Sequence, residues 1–157
     1  MKHIPCFVHT LGYIQPPAPC CTAVVHFPRF NSHRIIYFLI DTGASSTCLH
    51  SLDALQTTTL NDLTTCSVVS SGGIGGTCEY YSEPAILLFK DSNDDQLLFP
   101  LEMRIQKIDL TKPMALMPNL LGRDVMSVWS LNYDHKNGGV SLYAPDNTPL
   151  IPHATRP

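Results

Sequence analysis

Charge is what this chain has least of. Only 15% of its 157 residues are Asp, Glu, Lys or Arg, and 13 acids against 10 bases leave a net charge of −3. No run or stripe of basic residues appears, so the electrostatic footprint of a nucleic-acid binder is missing. Long hydrophobic runs are missing too. The longest apolar stretches fall far short of the ~20 residues that a helix needs to cross a bilayer, so no membrane partner is expected. The opening "MKHIPCFVHTLGYIQPP" has no uninterrupted apolar h-region and no A-x-A-like cleavage site, and it does not read as a signal peptide. Metal-ligand sets are equally scarce. Cys6 with His9 and Cys48 with His50 form pairs, but no set of four takes up ligand spacing, and neither a metal nor another cofactor is expected. The six cysteines would suggest disulfides only in an exported protein, a context that nothing here supplies, so reduced thiols in the cytoplasm are expected. No internal repeat or linker divides the chain, whose length suits one domain (residues 1–157) with one well-buried core.

What is present is mostly strand. "HIPCFVHT" (His3–Thr10) alternates weakly. "TAVVHF" (Thr22–Phe27) and "HRIIYFLI" (His33–Ile40) read as strands joined by a loop carrying Pro28 and Asn31-Ser32. "TTCSVVSSGGIGGTCEYYSE" reads as two strands around a glycine-rich tip, in which opposed residue numbers sum to about 149. That register sets Cys78 near Ser71 and Cys66 near Glu83, which argues against a bridge between the two cysteines. Pro84–Lys90 and Gln96–Ile105 flank a polar turn at Asp91–Asp95. "SLNYD" and "GVSLYA" form a closing hairpin over Lys136-Asn137-Gly138-Gly139. Helix is expected at Ser51–Gln56, capped by Ser51, and from Gly122–Arg123 to about Trp129. The tail from Pro145 onward is expected to be extended or loose. The fold class is therefore all-β, with one or two short helices.

One aspartate stands out against this background. Ile35-Ile36-Tyr37-Phe38-Leu39-Ile40 is written like a strand buried on both faces, and Asp41 ends it. Desolvation disfavours an ionised carboxylate in such a place. Thr42-Gly43 breaks the run, so Asp41 belongs on a tight turn at the strand's mouth. An aspartate in mid-chain is ordinarily a cap or a turn residue, and a bare D-T-G is a weak signal.

Three landmarks in order make it a stronger one. "FLIDTGASST" resembles the active-site strand of retropepsin-like aspartic proteases, where D-T-G-A follows a hydrophobic strand. "GGIGG" at Gly72–Gly76 is similar to the flap tip of the retroviral enzymes, and "NLLGRDV" at Asn119–Val125 resembles the Gly-Arg-Asp/Asn segment that opens their helix. The resemblance covers about residues 22–145 and leaves an N-terminal extension and a proline-rich tail unexplained. It implies a single-lobe acid-protease barrel with a hairpin flap, and an aspartic endopeptidase acting on extended peptide or protein substrates. Asp41 would be catalytic, with Thr42, Gly43 and Ala44 supporting the turn. Gly72, Gly73, Ile74, Gly75 and Gly76 would form the flap over the substrate, although by themselves they read only as a flexible hairpin loop. Gly122, Arg123 and Asp124 would be structural.

Two departures from the family are visible. Its arginine pairs with an aspartate soon after D-T-G-A, but Ser45 and Ser46 stand there, leaving Arg123 to hold backbone carbonyls or to pair with Asp124. The chain also adds "WSLNYDHKNGGVSLYA", which is similar to the ending of cellular and bacterial retropepsin-like domains, so its dimer interface is expected to differ from the viral one. No other aspartate lies in a D-T-G or D-S-G context, and a two-lobed enzyme would need about twice this length. A symmetric homodimer, with one Asp41 from each chain on the two-fold axis, is the remaining solution. The alternatives are a catalytically silent retropepsin-fold dimerisation or peptide-binding module, and a small β-barrel binding protein carrying D-T-G by chance.

Overall fold

β-Branched and aromatic residues recur at alternate positions along most of the chain, a pattern that suits pleated surfaces packed on one side. In the computed structural model, which describes residues 1–10, 16–73, 76–108, 111 and 117–152, that pattern yields an all-β protein. The chain begins with β1 (Lys2–Pro5), β2 (Phe7–His9) and β3 (Ala18–Phe27), then makes a 3₁₀ turn at Pro28–Phe30. β4 (Ser32–Ile40) and β5 (Cys48–Leu49) follow, and then two short helices, α1 (Ser51–Thr57) and α2 (Leu60–Thr64). Three long strands come next: β6 (Ser67–Gly73), β7 (Gly76–Lys90) and β8 (Gln96–Gln106). The chain continues through β9 (Asn119–Leu121), α3 (Arg123–Met126), β10 (Ser130–Asp134), β11 (Gly139–Ala144) and β12 (Leu150–Ile151).

The larger sheet has the order β12-β8-β5-β9-β4-β3-β7-β6, with β2 on β3. Because β7 also pairs with β8 from Tyr80↔Gln106 to Lys90↔Gln96, the path closes into a barrel. A smaller sheet, β1-β11-β10, covers one side. Phe27, Phe38, Phe89, Leu87, Leu97, Met103, Ile105 and Leu121 fill a single apolar cluster. Trp129 closes it, edge-on to Phe89 at 4.8 Å and to Phe99 at 5.3 Å between centroids. Among the described residues no helix is long and apolar enough to cross a membrane.

Several local expectations are realised. The hairpin of β6 and β7 pairs Ser67↔Ser82 through Gly73↔Gly76, so Cys78 lies opposite Ser71, and one further step sets Cys66 across from Glu83. The hairpin of β10 and β11 turns through Gly138 at φ 71°.

Others are corrected. The weak N-terminal strand is two strands broken at Cys6, and each half joins a different sheet. Both pack on the core, β1 through the buried Ile4 and β2 through Val8. The tail from Pro145 is extended where it is described at Leu150–Ile151, as expected, and it adds β12, paired to β8 at Leu150↔Leu97. β4 is not buried on both faces: Ile36, Phe38 and Ile40 point into the core, while Ile35 and Tyr37 are 61% and 64% exposed. The barrel packs against only one face of this strand, and an apolar run does not tell its two faces apart. The cap of α1 is His50, whose Nδ1 accepts from Leu52 N at 3.1 Å, and not Ser51. α2 was not expected, although Thr59 and Asp62 form a reciprocal capping box. α3 ends at Met126, three residues short of Trp129, as the chain tightens into turns.

An ion pair between a half-exposed arginine and a buried glutamate holds one side of the barrel. Arg29, in the 3₁₀ turn, donates from Nε to Glu83 Oε1 at 2.7 Å and from Nη2 to Oε2 at 2.6 Å. Its Nη1 reaches Thr65 Oγ1 at 2.8 Å, so one guanidinium ties the end of β3 to β7 and to the start of β6. The Glu83 side chain is only 3% exposed. Its bonds to Arg29 hold the carboxyl below the usual carboxylate range, against burial that pushes it up.

A depressed carboxylate contributes stability at neutral pH that is lost as pH falls through its folded-state value. The urea midpoint of the wild type should therefore fall as pH drops through and below the usual carboxylate range. Arg29→Met leaves Glu83 buried without its cation, so the midpoint should drop at neutral pH and recover in part on acidification, as Glu83 takes up a proton. An unchanged midpoint and pH profile in this variant would show that Arg29 does not stabilise Glu83.

Candidate active site

The end of β4 is set by a strand far away in sequence. β4 runs parallel to β9, with Phe38↔Asn119, Leu39↔Leu120 and Ile40↔Leu121 in register. Asp41 N continues this ladder, donating to Leu121 O at 3.0 Å. The chain then turns sharply. Ala44 N donates to Asp41 O at 3.2 Å, and Gly43 N donates to Asp41 Oδ1 at 2.8 Å, the side-chain-to-backbone bond that makes aspartate a turn former. A Cβ at Gly43 would lie 3.1 Å from Asp41 Oδ1, so a side chain there would crowd the carboxylate. Asp41 itself is half-buried, and Thr42 and Gly43 are exposed. Asp41 Oδ2 has no protein hydrogen bond among the described residues.

The rest of the loop is sewn to the segment after β9. Thr47 is fully buried. Its Oγ1 donates to Asp124 Oδ1 at 2.7 Å and accepts from Gly122 N at 3.1 Å, while its N donates to Asp124 Oδ2 at 2.8 Å. Arg123 N donates to Ala44 O at 2.9 Å. The two backbones touch at Gly122, where a Cβ would fall 2.4 Å from the carbonyl carbon of Ser46. The structure thus brings the D-T-G-A turn and the G-R-D segment together.

It does so through Gly122 and Asp124. The Arg123 side chain is exposed and makes no hydrogen bond or ion pair among the described residues. It neither holds carbonyls nor pairs with Asp124, whose two oxygens are taken by Thr47 and by Val125 N at 3.0 Å. Only the Arg123 backbone takes part.

Two supports were not foreseen. Asn119 is buried at the start of β9; its Oδ1 accepts from His50 N at 2.7 Å, and its Nδ2 donates to Tyr37 O at 3.1 Å and Asp53 Oδ2 at 2.7 Å. This amide joins β4, β9 and α1 behind the turn. Thr47 is the other. A polar Asn opening the apolar "NLL" was the available signal, since a buried amide must find partners.

The arms of the β6–β7 hairpin are paired up to Gly73↔Gly76. Gly76 has φ +120°, a conformation that L side chains rarely adopt, while Gly72 is flanked by open space. Ile74 and Gly75 lie outside the described residues. Along the second arm of the hairpin, Lys107 Nζ meets Glu79 Oε2 at 2.9 Å. Neither cysteine–histidine pair gathers further ligands: among the described residues no group of three or more His, Cys, Asp or Glu is placed to hold a metal ion. Burial pushes the Cys48 thiol up to about 12, so it remains protonated. The chain matches no family model and no curated protein.

Gly122→Ala should lower stability by at least about 1–3 kcal/mol, the range for overpacking, because backbone and not a flexible side chain occupies the space. Chemical denaturation checks this. A stable Gly122→Ala protein would mean that the loops can separate without loss.

Proposed function

We propose that the protein is a cytoplasmic, homodimeric aspartic endopeptidase of the retropepsin-like kind, in which two Asp41 carboxylates, one from each chain, activate water against an extended peptide. One observation carries the proposal: Asp41 ends a core strand on a turn pinned by the Leu121 carbonyl, Gly122 and Asp124, yet its carboxylate keeps one oxygen without a protein hydrogen bond and reaches solvent. A merely structural aspartate in this loop would look like Asp124, with both oxygens engaged.

The chemistry follows from pairing two such groups. Like charges a few ångströms apart cannot both ionise, so the dyad shares one proton. The ionised carboxylate takes a proton from water as the oxygen attacks the scissile carbonyl carbon, and the protonated one hydrogen-bonds the carbonyl oxygen. A proton then passes to the departing amine as the C–N bond breaks. The exposed Thr42 would contact the opposing chain. The β6–β7 hairpin would act as the flap, its glycines allowing backbone N–H groups near the substrate. Free cysteines throughout the described residues fit a reducing compartment.

Asp41→Asn is the decisive variant. Its amide oxygen can still accept from Gly43 N–H, so dimer mass and melting temperature should stay as in the wild type. It cannot take a proton from water, so peptide turnover should fall by at least about 10²–10⁴-fold. Turnover retained in Asp41→Asn would remove Asp41 from the chemistry. A dimeric wild type that cuts nothing in a peptide library would point to a silent binding module. Gly76→Val should also slow turnover while leaving the melting temperature nearly unchanged, because its strain lies at the hairpin tip and not in the core. Normal kinetics in that variant would mean that the hairpin is no lid.

A further inference from the structure

We infer that Cys6 and Cys21 are a disulfide-forming oxidation site, a thiol pair that a hydroperoxide converts into a staple between the amino-terminal segment and the barrel. The inference is independent of the role given to Asp41.

Register supplies the first argument. β2 and β3 pair as His9↔Ala18, Val8↔Pro19 and Phe7↔Cys20. One further step along this antiparallel ladder sets Cys6 across from Cys21. Directly opposed residues have Cα atoms about 4.5–5.5 Å apart, inside the roughly 4.4–6.8 Å that a disulfide spans. Packing supplies the second: Cys21 belongs to the buried apolar cluster and Cys6 packs against that same cluster, its thiol turned to Ile4 O at 3.5 Å.

The pair is also asymmetric in the way that oxidation chemistry requires. Cys6 is partly exposed at the break between β1 and β2, where a small oxidant can reach it, whereas Cys21 is 0% exposed. The neighbouring Cys21 thiol favours the Cys6 thiolate and holds Cys6 below the usual thiol range, while Cys6 and burial push Cys21 well above it. Cys6 is therefore the attacking thiol and Cys21 the resolving one. The other cysteines are placed differently. Cys20 lies opposite Phe7, one register step away from Cys6. Burial pushes Cys48 and Cys66 up to about 12, and Cys78 faces Ser71.

The steps balance. The Cys6 thiolate attacks the terminal oxygen of the hydroperoxide; an S–O bond forms, the O–O bond breaks, and the departing alkoxide takes a proton to become an alcohol. Cys6 is then a sulfenic acid. Cys21 gives up its proton and attacks the Cys6 sulfur; the S–S bond forms, the S–O bond breaks, and hydroxide leaves as water. Two thiols lose two electrons, and the hydroperoxide gains them.

The consequence follows from where Cys6 sits. It is the one residue between β1, which belongs to the small sheet, and β2, which belongs to the large one. Cys21 is paired with Phe38 on β4, the strand that ends in Asp41. Oxidation therefore fastens the crossing between the sheets to the strand beside β4. The reduced chain can open there locally, and the oxidised chain cannot.

Hydrogen peroxide added to the reduced full-length protein tests this. Intact mass should fall by about 2 Da, for two hydrogens lost, and dithiothreitol should restore it. Chymotrypsin cleavage after Tyr13 parts the two cysteines, so an unreduced digest should yield a peptide carrying Cys6 joined to one carrying Cys20-Cys21, with fragmentation assigning the bond to Cys21. The oxidised protein should have the higher urea midpoint. Cys6→Ser, at a partly exposed position, should abolish both the mass change and the midpoint shift, and Cys20→Ser should preserve both. A bond to Cys20, sulfinic acid at Cys6 with no cross-link, or a cross-link that leaves the midpoint unmoved would overturn the inference.

Discussion

The structure depends on the contact between two backbones at Gly122 and Ser46. Parallel strands β4 and β9 deliver their ends to the same spot, and the loops that leave them must pass within van der Waals distance. Only a residue without Cβ lets them do so. Once they touch, Thr47 and Asp124 seal the contact with hydrogen bonds to both oxygens of the carboxylate. The Asp41 turn is rigid as a result. Two aspartates near one another thereby acquire opposite characters: Asp124 is consumed by three donors, while Asp41 accepts one and faces water with the rest.

Scarcity of charge makes each buried polar group consequential. Arg29 and Glu83 hold the side of the barrel formed by β3, β6 and β7, and Asn119 with Asp53 and His50 holds α1 against β4 and β9. Among the described residues the only buried side-chain polar atom without a partner is Ser32 Oγ. A core so fully satisfied has little freedom to slip in register, because each displacement would strand a donor or an acceptor. The rigidity that fixes Asp41 is thus shared by the whole barrel. The hairpin of β6 and β7 differs, with open space beside Gly72 and Gly76.

Much of this was legible beforehand, and the reasons are local. The β6–β7 register follows from a glycine-rich tip and the two-residue period of strands, which is why Cys66 and Cys78 were correctly kept apart. The β10–β11 turn follows from Asn137-Gly138, and the start of α3 from Gly122. The missed features are those in which a residue's neighbour is remote. Nothing around Thr47 announces that Asp124 will accept its hydroxyl. His50 caps α1 because Asn119 already holds its backbone N–H, and Cys6 breaks a strand because its two sides join different sheets.

Local sequence was enough to determine the all-β class, most strands and turns, and the position of one unusual aspartate at the mouth of an apolar run. These follow from side-chain shape, alternation and turn chemistry, which act over a few residues. Tertiary structure alone decided which face of β4 is buried, which carboxylate bonds inward and which stays open, and which cysteines meet. Those outcomes depend on groups brought together from opposite ends of the chain, and hydrogen bonds and excluded volume act between such groups only after the barrel has closed.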